Sequence, residues 1–170
     1  KQVTLQYGVS SKTTTVTAIV TDSSNNFFAV GQTDGGLDGN TLSGTYDLTV
    51  TKYSSSNTKQ WTRQLGVTRK TTYGLSLARD GSQNLYLAGY TNGGLDGNTL
   101  TGTNDLFLAK YNSSGTKQWT TQLGVATKNT YGFASKTDSL NNIYITGQTT
   151  GGIDGNTLVG ASDMYISKYS

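Results

Sequence analysis

The chain has 170 residues, of which 33% are hydrophobic, with 11 Tyr, 4 Phe and 2 Trp, no Cys, no Pro and no His, and a net charge of +3. Without cysteine there is no disulfide framework, thiol chemistry or cysteine metal site, and without histidine there is no ordinary base for a Ser or Thr nucleophile. The 13 Lys and Arg are scattered singly rather than gathered into a stripe, which argues against a nucleic-acid partner, and no apolar run is long enough to span a membrane.

In chain order the sequence repeats itself with a period of 58 residues. Lys1-Gln2, Lys59-Gln60 and Lys117-Gln118 open three units, 1–58, 59–116 and 117–170, that align without an insertion. The alternation and the turn residues predict strands at about 15–21, 27–33, 47–53 and 59–65, then 74–80, 85–91, 105–111 and 117–123, then 132–138, 143–149 and 163–169. Residues 1–7 have the pattern of one further strand. Asp-Gly-Ser-Gln-Asn (80–84) and Asn-Ser-Ser-Gly (112–115) are hairpin turns, while Gly35 to Gly44, Gly93 to Gly102 and Gly151 to Gly160 form a long, nearly invariant loop in each unit. Strands such as Leu85 to Thr91 (LYLAGYT) are apolar on both faces and need cover on both sides. Three four-stranded antiparallel meanders of equal length, packed face to face about an axis, supply that cover. The expected fold is therefore all-β, consecutive blades of a β-propeller in one repeat domain.

Several features occur together in this chain: Gly-Val after the Lys-Gln-Trp-Thr strand, the Asp-x-x-x-Asn turn, an aromatic strand ending in Gly-x-Thr, then Asp-Leu-Phe-Leu-Ala-Lys-Tyr-Asn-Ser-Ser-Gly-Thr. In these the chain resembles the bacterial β-propeller repeat family called SBBP, and its GGLDGNTLxG loop resembles the variant found in repeat-rich surface lipoproteins. The resemblance implies a propeller fold and an exported setting, at the cell surface, in the outer envelope or extracellular. It implies no shared catalytic activity. The first unit departs from the pattern, with Val3 where Trp61 and Trp119 stand and Val16 where Gly74 and Gly132 stand.

The frame of the units places a fourth-strand segment at residues 1–7 and a third strand at 163–169. The expectation is that residues 1–7 complete the last blade, either by closing a ring within the chain or from a partner chain. A ring of only three blades falls below the usual four to eight, so a homo-oligomer, a closed ring or a filament, is the expected partnership.

Nine of the ten Asp fall on three repeat positions. Asp22, Asp80 and Asp138, each four residues before an Asn, are turn formers. Asp38, Asp96 and Asp154, with Asn40, Asn98 and Asn156 and with Asp47, Asp105 and Asp163, give each long loop two carboxylates and an amide oxygen. Those hard oxygens suit calcium, although the loops lack the acid spacing and terminal Glu of an EF-hand; the competing reading is an Asx-stabilised loop whose second Asp caps backbone amides. Asp38 and Asp47 as a hydrolytic pair would recur in every unit, which marks a structural device, so no enzyme activity is expected. The two Trp read as packing between blades, whereas Tyr7, Tyr46 and Tyr90 vary between units and could individualise a face for a glycan or protein ligand.

Overall fold

A computed structural model describes residues 3–170, and the strands fall into three antiparallel sheets. The first comprises β1 (Thr14–Thr21), β2 (Phe27–Thr33), β3 (Asp47–Tyr53) and β4 (Lys59–Leu65). The second comprises β5 (Thr72–Arg79), β6 (Leu85–Thr91), β7 (Asp105–Tyr111) and β8 (Lys117–Leu123), with a single 3-10 turn at Leu95–Gly97 before β7. The third holds β9 (Thr130–Thr137), β10 (Ile143–Thr149) and β11 (Asp163–Tyr169), in the order β11-β10-β9. Among the described residues no helix is long and apolar enough to cross a membrane.

Each sheet is a meander, and period-two alternation gives each strand two working faces. In the middle sheet, Leu85, Leu87, Phe107, Ala109 and Tyr111 pack against Phe28, Val30, Leu48 and Val50 of the first sheet. Their sequence neighbours Tyr86, Ala88, Leu106 and Leu108 point the other way and pack on Ile143, Ile145 and Tyr165 of the third. The core is thus two flat layers between three blades. The first strands β1, β5 and β9 also contact one another in series, so they lie on the inner side of the stack, with β4 and β8 outermost.

Glycine permits the closest approaches. A Cβ on Gly31, Gly89 or Gly147 would lie 1.8, 1.8 or 1.7 Å from the carbonyl oxygen of Thr15, Tyr73 or Tyr131, so the second strand of every blade needs a residue without a side chain there. At Gly74 a Cβ would meet Leu48 Cδ1 at 2.2 Å, and at Gly132 Leu106 Cδ1 at 2.4 Å. These two positions let a leucine of one blade seat into the next. Val16 fills the same position in the first blade and is 55% exposed.

Eight of the eleven strands match the expected bounds. The three inner strands start earlier, at Thr14, Thr72 and Thr130, because pairing continues past the glycine position, and in the second blade Thr72 Oγ1 shares a hydrogen bond with Thr91 Oγ1 at 3.2 Å. Each inner strand also carries a register shift, at Val16/Ala18, Gly74/Ser76 and opposite Thr146/Gly147, which turns the residue at the bulge out of the ladder.

The expected strand at residues 1–7 is the main difference. Within the described part of it, residues 3–7 form no strand and are not paired to β11, so the ring does not close within the chain. Instead Tyr7 donates its hydroxyl to Thr51 Oγ1 at 3.0 Å and its ring lies 5.8 Å from that of Tyr53, on the side of the first blade that faces away from the second. The physical reason is geometric: three blades subtend too little of a circle for the third to reach back to the first.

Candidate functional site

The long loops join the second and third strands of each blade, at the same end as the connections between blades. Asp-Gly at 38–39, 96–97 and 154–155 bends each loop with both residues at positive φ, 54° and 78° in the first unit, a conformation that Asp tolerates and Gly favours. The second carboxylate caps the loop from below. Asp47 accepts from the Ser43 and Gly44 amides, both at 2.8 Å, Asp105 from Thr101 and Gly102 at 2.8 and 2.7 Å, and Asp163 from Val159 and Gly160 at 2.8 and 2.9 Å. Those two backbone donors hold the Asp163 carboxyl below the ordinary carboxylate range. Gly66 and Gly124 press on the same carboxylates, since a Cβ at either would fall 1.8 Å from Oδ1 of Asp47 or Asp105.

The first carboxylate has a different task. Asp38 takes an ion pair from Lys59 and a hydrogen bond from Thr62, and Asp96 takes the same from Lys117 and Thr120. For Asp38, burial opposes ionisation, but the Lys59 and Thr62 bonds outweigh it and lower the pKa. Gln64 Oε1 accepts from the Leu37 amide at 2.6 Å and Gln122 Oε1 from Leu95 at 2.5 Å, while Asn40 and Asn98 Nδ2 donate to the Thr62 and Thr120 carbonyls at 3.3 and 3.2 Å. In each of the first two blades, then, the outer strand is fastened to the loop by the pattern Lys-x-x-Thr-x-Gln. The first and second carboxylates of a loop have separate partners: the second caps backbone amides, and the first meets a Lys and a Thr of the outer strand. Among the described residues no group of three or more acidic, His or Cys side chains is placed to hold a metal.

The third blade has the loop without the outer strand. Asn156 Nδ2 still donates to the Ile153 carbonyl at 2.8 Å, but Asp154 and the Ile153 amide have no partner among the described residues. A cleft of about 350 Å³ opens there, bordered by Ile153, Asp154, Asn156, Asp163 and Tyr165. The free edge of β11 runs along it, with Met164 85% and Ile166 70% exposed. Trp119 is affected too. Trp61 is covered by the hairpin of the next blade, with its ring 3.0 Å from the Cβ position of Gly115, whereas Trp119 is 39% exposed.

The segment before β1 supplies the complement. Lys1, Thr4 and Gln6 stand where Lys59, Thr62 and Gln64 stand in the first blade's outer strand. Val9 and Lys12 lie under Gly35, where an added Cβ would fall 3.1 and 2.9 Å from them, as Val67 and Lys70 lie under Gly93, where it would fall 2.9 and 2.8 Å away. Residues 9–12 therefore enter the first blade as a connection between blades does. Reading the Asp and Asn positions alone missed the lysine, threonine and glutamine that fasten the loop. Their recurrence at one register in all three units was the available signal.

Asp22, Asp80 and Asp138 are turn formers. Each accepts from the amide and side chain of the Asn four residues on, at 2.8 to 2.9 Å, and the bond from Asn142 heads those that lower the Asp138 pKa. The sequence readings that pointed to tyrosines are met by a different pattern, a row that crosses the blades. Ring centroids are 5.4 Å apart for Tyr46 and Tyr73, 5.1 Å for Tyr73 and Tyr90, 4.8 Å for Tyr90 and Tyr131, and 5.9 Å for Tyr131 and Phe133.

No curated protein matches the chain. A family model for the SBBP beta-propeller repeat matches residues 60–96 and 118–154, in each case an outer strand, the first two strands of the next blade and the start of its long loop. The chain thus carries two SBBP beta-propeller repeats, at residues 60–96 and 118–154.

Proposed function

We propose that the protein is a non-enzymatic, exported propeller module that assembles with itself, residues 1–7 of one copy adding as the fourth strand of the third blade of another. The observation that carries this reading is the match between an unfilled socket and an unused plug. Asp154, the Ile153 amide and Asn156 repeat the groups that bind the outer strand in the first two blades, and Lys1, Thr4 and Gln6 repeat the groups that they bind. Strand addition also covers an open edge, which otherwise presents unpaired amides and carbonyls. Two chains joined reciprocally make six blades in a closed twofold ring, within the usual range. The exported setting is what the family resemblance implies.

The register specifies a direct test. Thr51 faces Thr62 and Ala109 faces Thr120 across the third and fourth strands of the first two blades. The corresponding pair in the docked strand is Ser167 and Thr4 of the other copy. Because the chain has no cysteine, Thr4→Cys with Ser167→Cys creates the only thiols. Under mild oxidation the expected product is a two-chain species linked by disulfide, together with a two-chain mass by light scattering for the unmodified protein. A monomeric mass at micromolar concentration, or a disulfide formed only within one chain, refutes the reading.

A further inference from the structure

We propose that the row formed by Tyr46, Tyr73, Tyr90 and Tyr131 is a binding platform for an uncharged pyranose oligosaccharide. The row draws one or two rings from each blade: Tyr46 just before β3, Tyr73 and Tyr90 directly opposite each other on β5 and β6, and Tyr131 on β9. All four are half-buried, so each ring is held by the fold yet keeps a surface. Phe133, turned out at the bulge of β9 and 48% exposed, stacks on Tyr131 at 8° and extends the row to the edge of the third blade.

Three observations separate this row from ordinary packing. The hydroxyls of Tyr7, Tyr86, Tyr144 and Tyr165 are hydrogen-bonded within the chain, whereas those of Tyr46, Tyr73, Tyr90 and Tyr131 have no protein partner among the described residues and are not buried. No protein group among the described residues competes for them. Two members of the row also break the repeat: Tyr46 stands where Asn104 and Ser162 stand, and Tyr90 where Gln32 and Gln148 stand, while Tyr73 and Tyr131 share one position held by Thr15 in the first unit. A ring needed for the blade would recur with the blade. The position of Tyr90 carries unused hydrogen-bonding groups in the other two units. Gln32 Oε1 is the only buried side-chain polar atom without a partner among the described residues, and Gln148, opposite Tyr131, makes no side-chain hydrogen bond among them.

The chemistry selects the ligand class. A phenol offers an apolar face and a polar tip at small entropic cost, which suits a ligand with a C–H face and a rim of hydroxyls. Burial raises the pKa of Tyr73 and of Tyr90, and the remaining influences on them come from neighbouring phenols, with no Lys, Arg or Asp among them. The two central rings, which only neighbouring phenols influence, are matched to an uncharged ligand, and four rings in series to an oligosaccharide rather than a single sugar. The site lies within one chain, so it stands or falls independently of the assembly.

The test uses the intact chain with cellohexaose, chitohexaose and mannohexaose as probes, followed by isothermal titration calorimetry. The variant Tyr46→Asn with Tyr90→Gln places at each position the residue that a sister unit already carries there, and Tyr131→Thr does the same with the residue of the first unit, Thr15. The expected result is saturable binding of at least one probe, weakened at least about tenfold in either variant at an unchanged melting temperature. Absence of binding to all three at about 1 mM, or binding that neither variant weakens, overturns the proposal. If one variant unfolds, the other decides.

Discussion

Replacing Gly74 by valine tests whether the two inter-blade layers are as tightly fitted as the geometry indicates, because valine already occupies the same repeat position in the first unit. At position 74 the first added carbon would sit 2.2 Å from Leu48 Cδ1 and 2.9 Å from both Val30 Cγ2 and the Gly31 carbonyl oxygen. Leu48 is 1% exposed and Val30 is fully buried, so neither can swing into solvent. Overpacking of this kind costs about 1–3 kcal/mol, and two further methyl groups place valine toward the upper end. For a domain of this size each kcal/mol lowers the melting temperature by about 2–4 °C, so a fall of roughly 2–12 °C is expected by calorimetry. Leu48→Ala alone costs about 2–5 kcal/mol through the cavity it leaves. It also removes the atom nearest the new side chain, so the double variant should be more stable than the sum of the two losses predicts, by about 0.5–3 kcal/mol. If Gly74→Val melts within about 1 °C of the parent, or if the two losses simply add, the close seating of Leu48 against Gly74 is not what holds these blades together.

Asp105→Ala removes the acceptor of two backbone amides at a position that is fully buried, and a loss of about 2–4 kcal/mol is expected in urea unfolding; a loss below about 0.5 kcal/mol would mean that the loop does not depend on its cap. The carboxylates of the first two loops already have lysine, threonine and amide partners, so the melting temperature should be the same in millimolar calcium and in chelator, and a rise of several degrees with calcium would show that the ion displaces those partners or fills the third loop. Asp138 and Asp163 have pKa values lowered in the folded chain, by the Asn142 side chain and by the Val159 and Gly160 amides. Their contribution to stability is therefore complete above the ordinary carboxylate value of about 4 and is lost as pH falls through the lower folded values, so stability should be flat from neutral to about pH 5 and decline below about pH 4. Asp138→Asn should make that decline shallower, and an unaltered acid profile in the variant would contradict the assignment.

The strands were legible because burial on both faces leaves an unmistakable mark: Leu85 to Thr91 has no polar side on which to rest against water. The turns were legible because Asp22, Asp80 and Asp138 act on residues only four positions away. What the sequence concealed depends on residues that meet across larger separations. Lys59 reaches Asp38 from 21 positions away, and Gln64 reaches Leu37 from 27. Such pairs appear in a single sequence only as shared register between units. The tyrosine row was hidden more thoroughly, since its members come from three different repeat positions, and Tyr46 meets Tyr73, and Tyr90 meets Tyr131, only when the blades stack. Val16 was visible as an exception, but its meaning required Leu48 seated against Gly74 in the next unit.

The common fastening of outer strand to loop has an evolutionary consequence. A tandem duplication of one 58-residue unit copies both halves of each contact at once, the Lys-x-x-Thr-x-Gln segment and the Asp-Gly-Asn loop it meets, so a newly gained blade arrives with its attachments already complementary. Gene length can then change in whole blades without passing through an unfoldable intermediate.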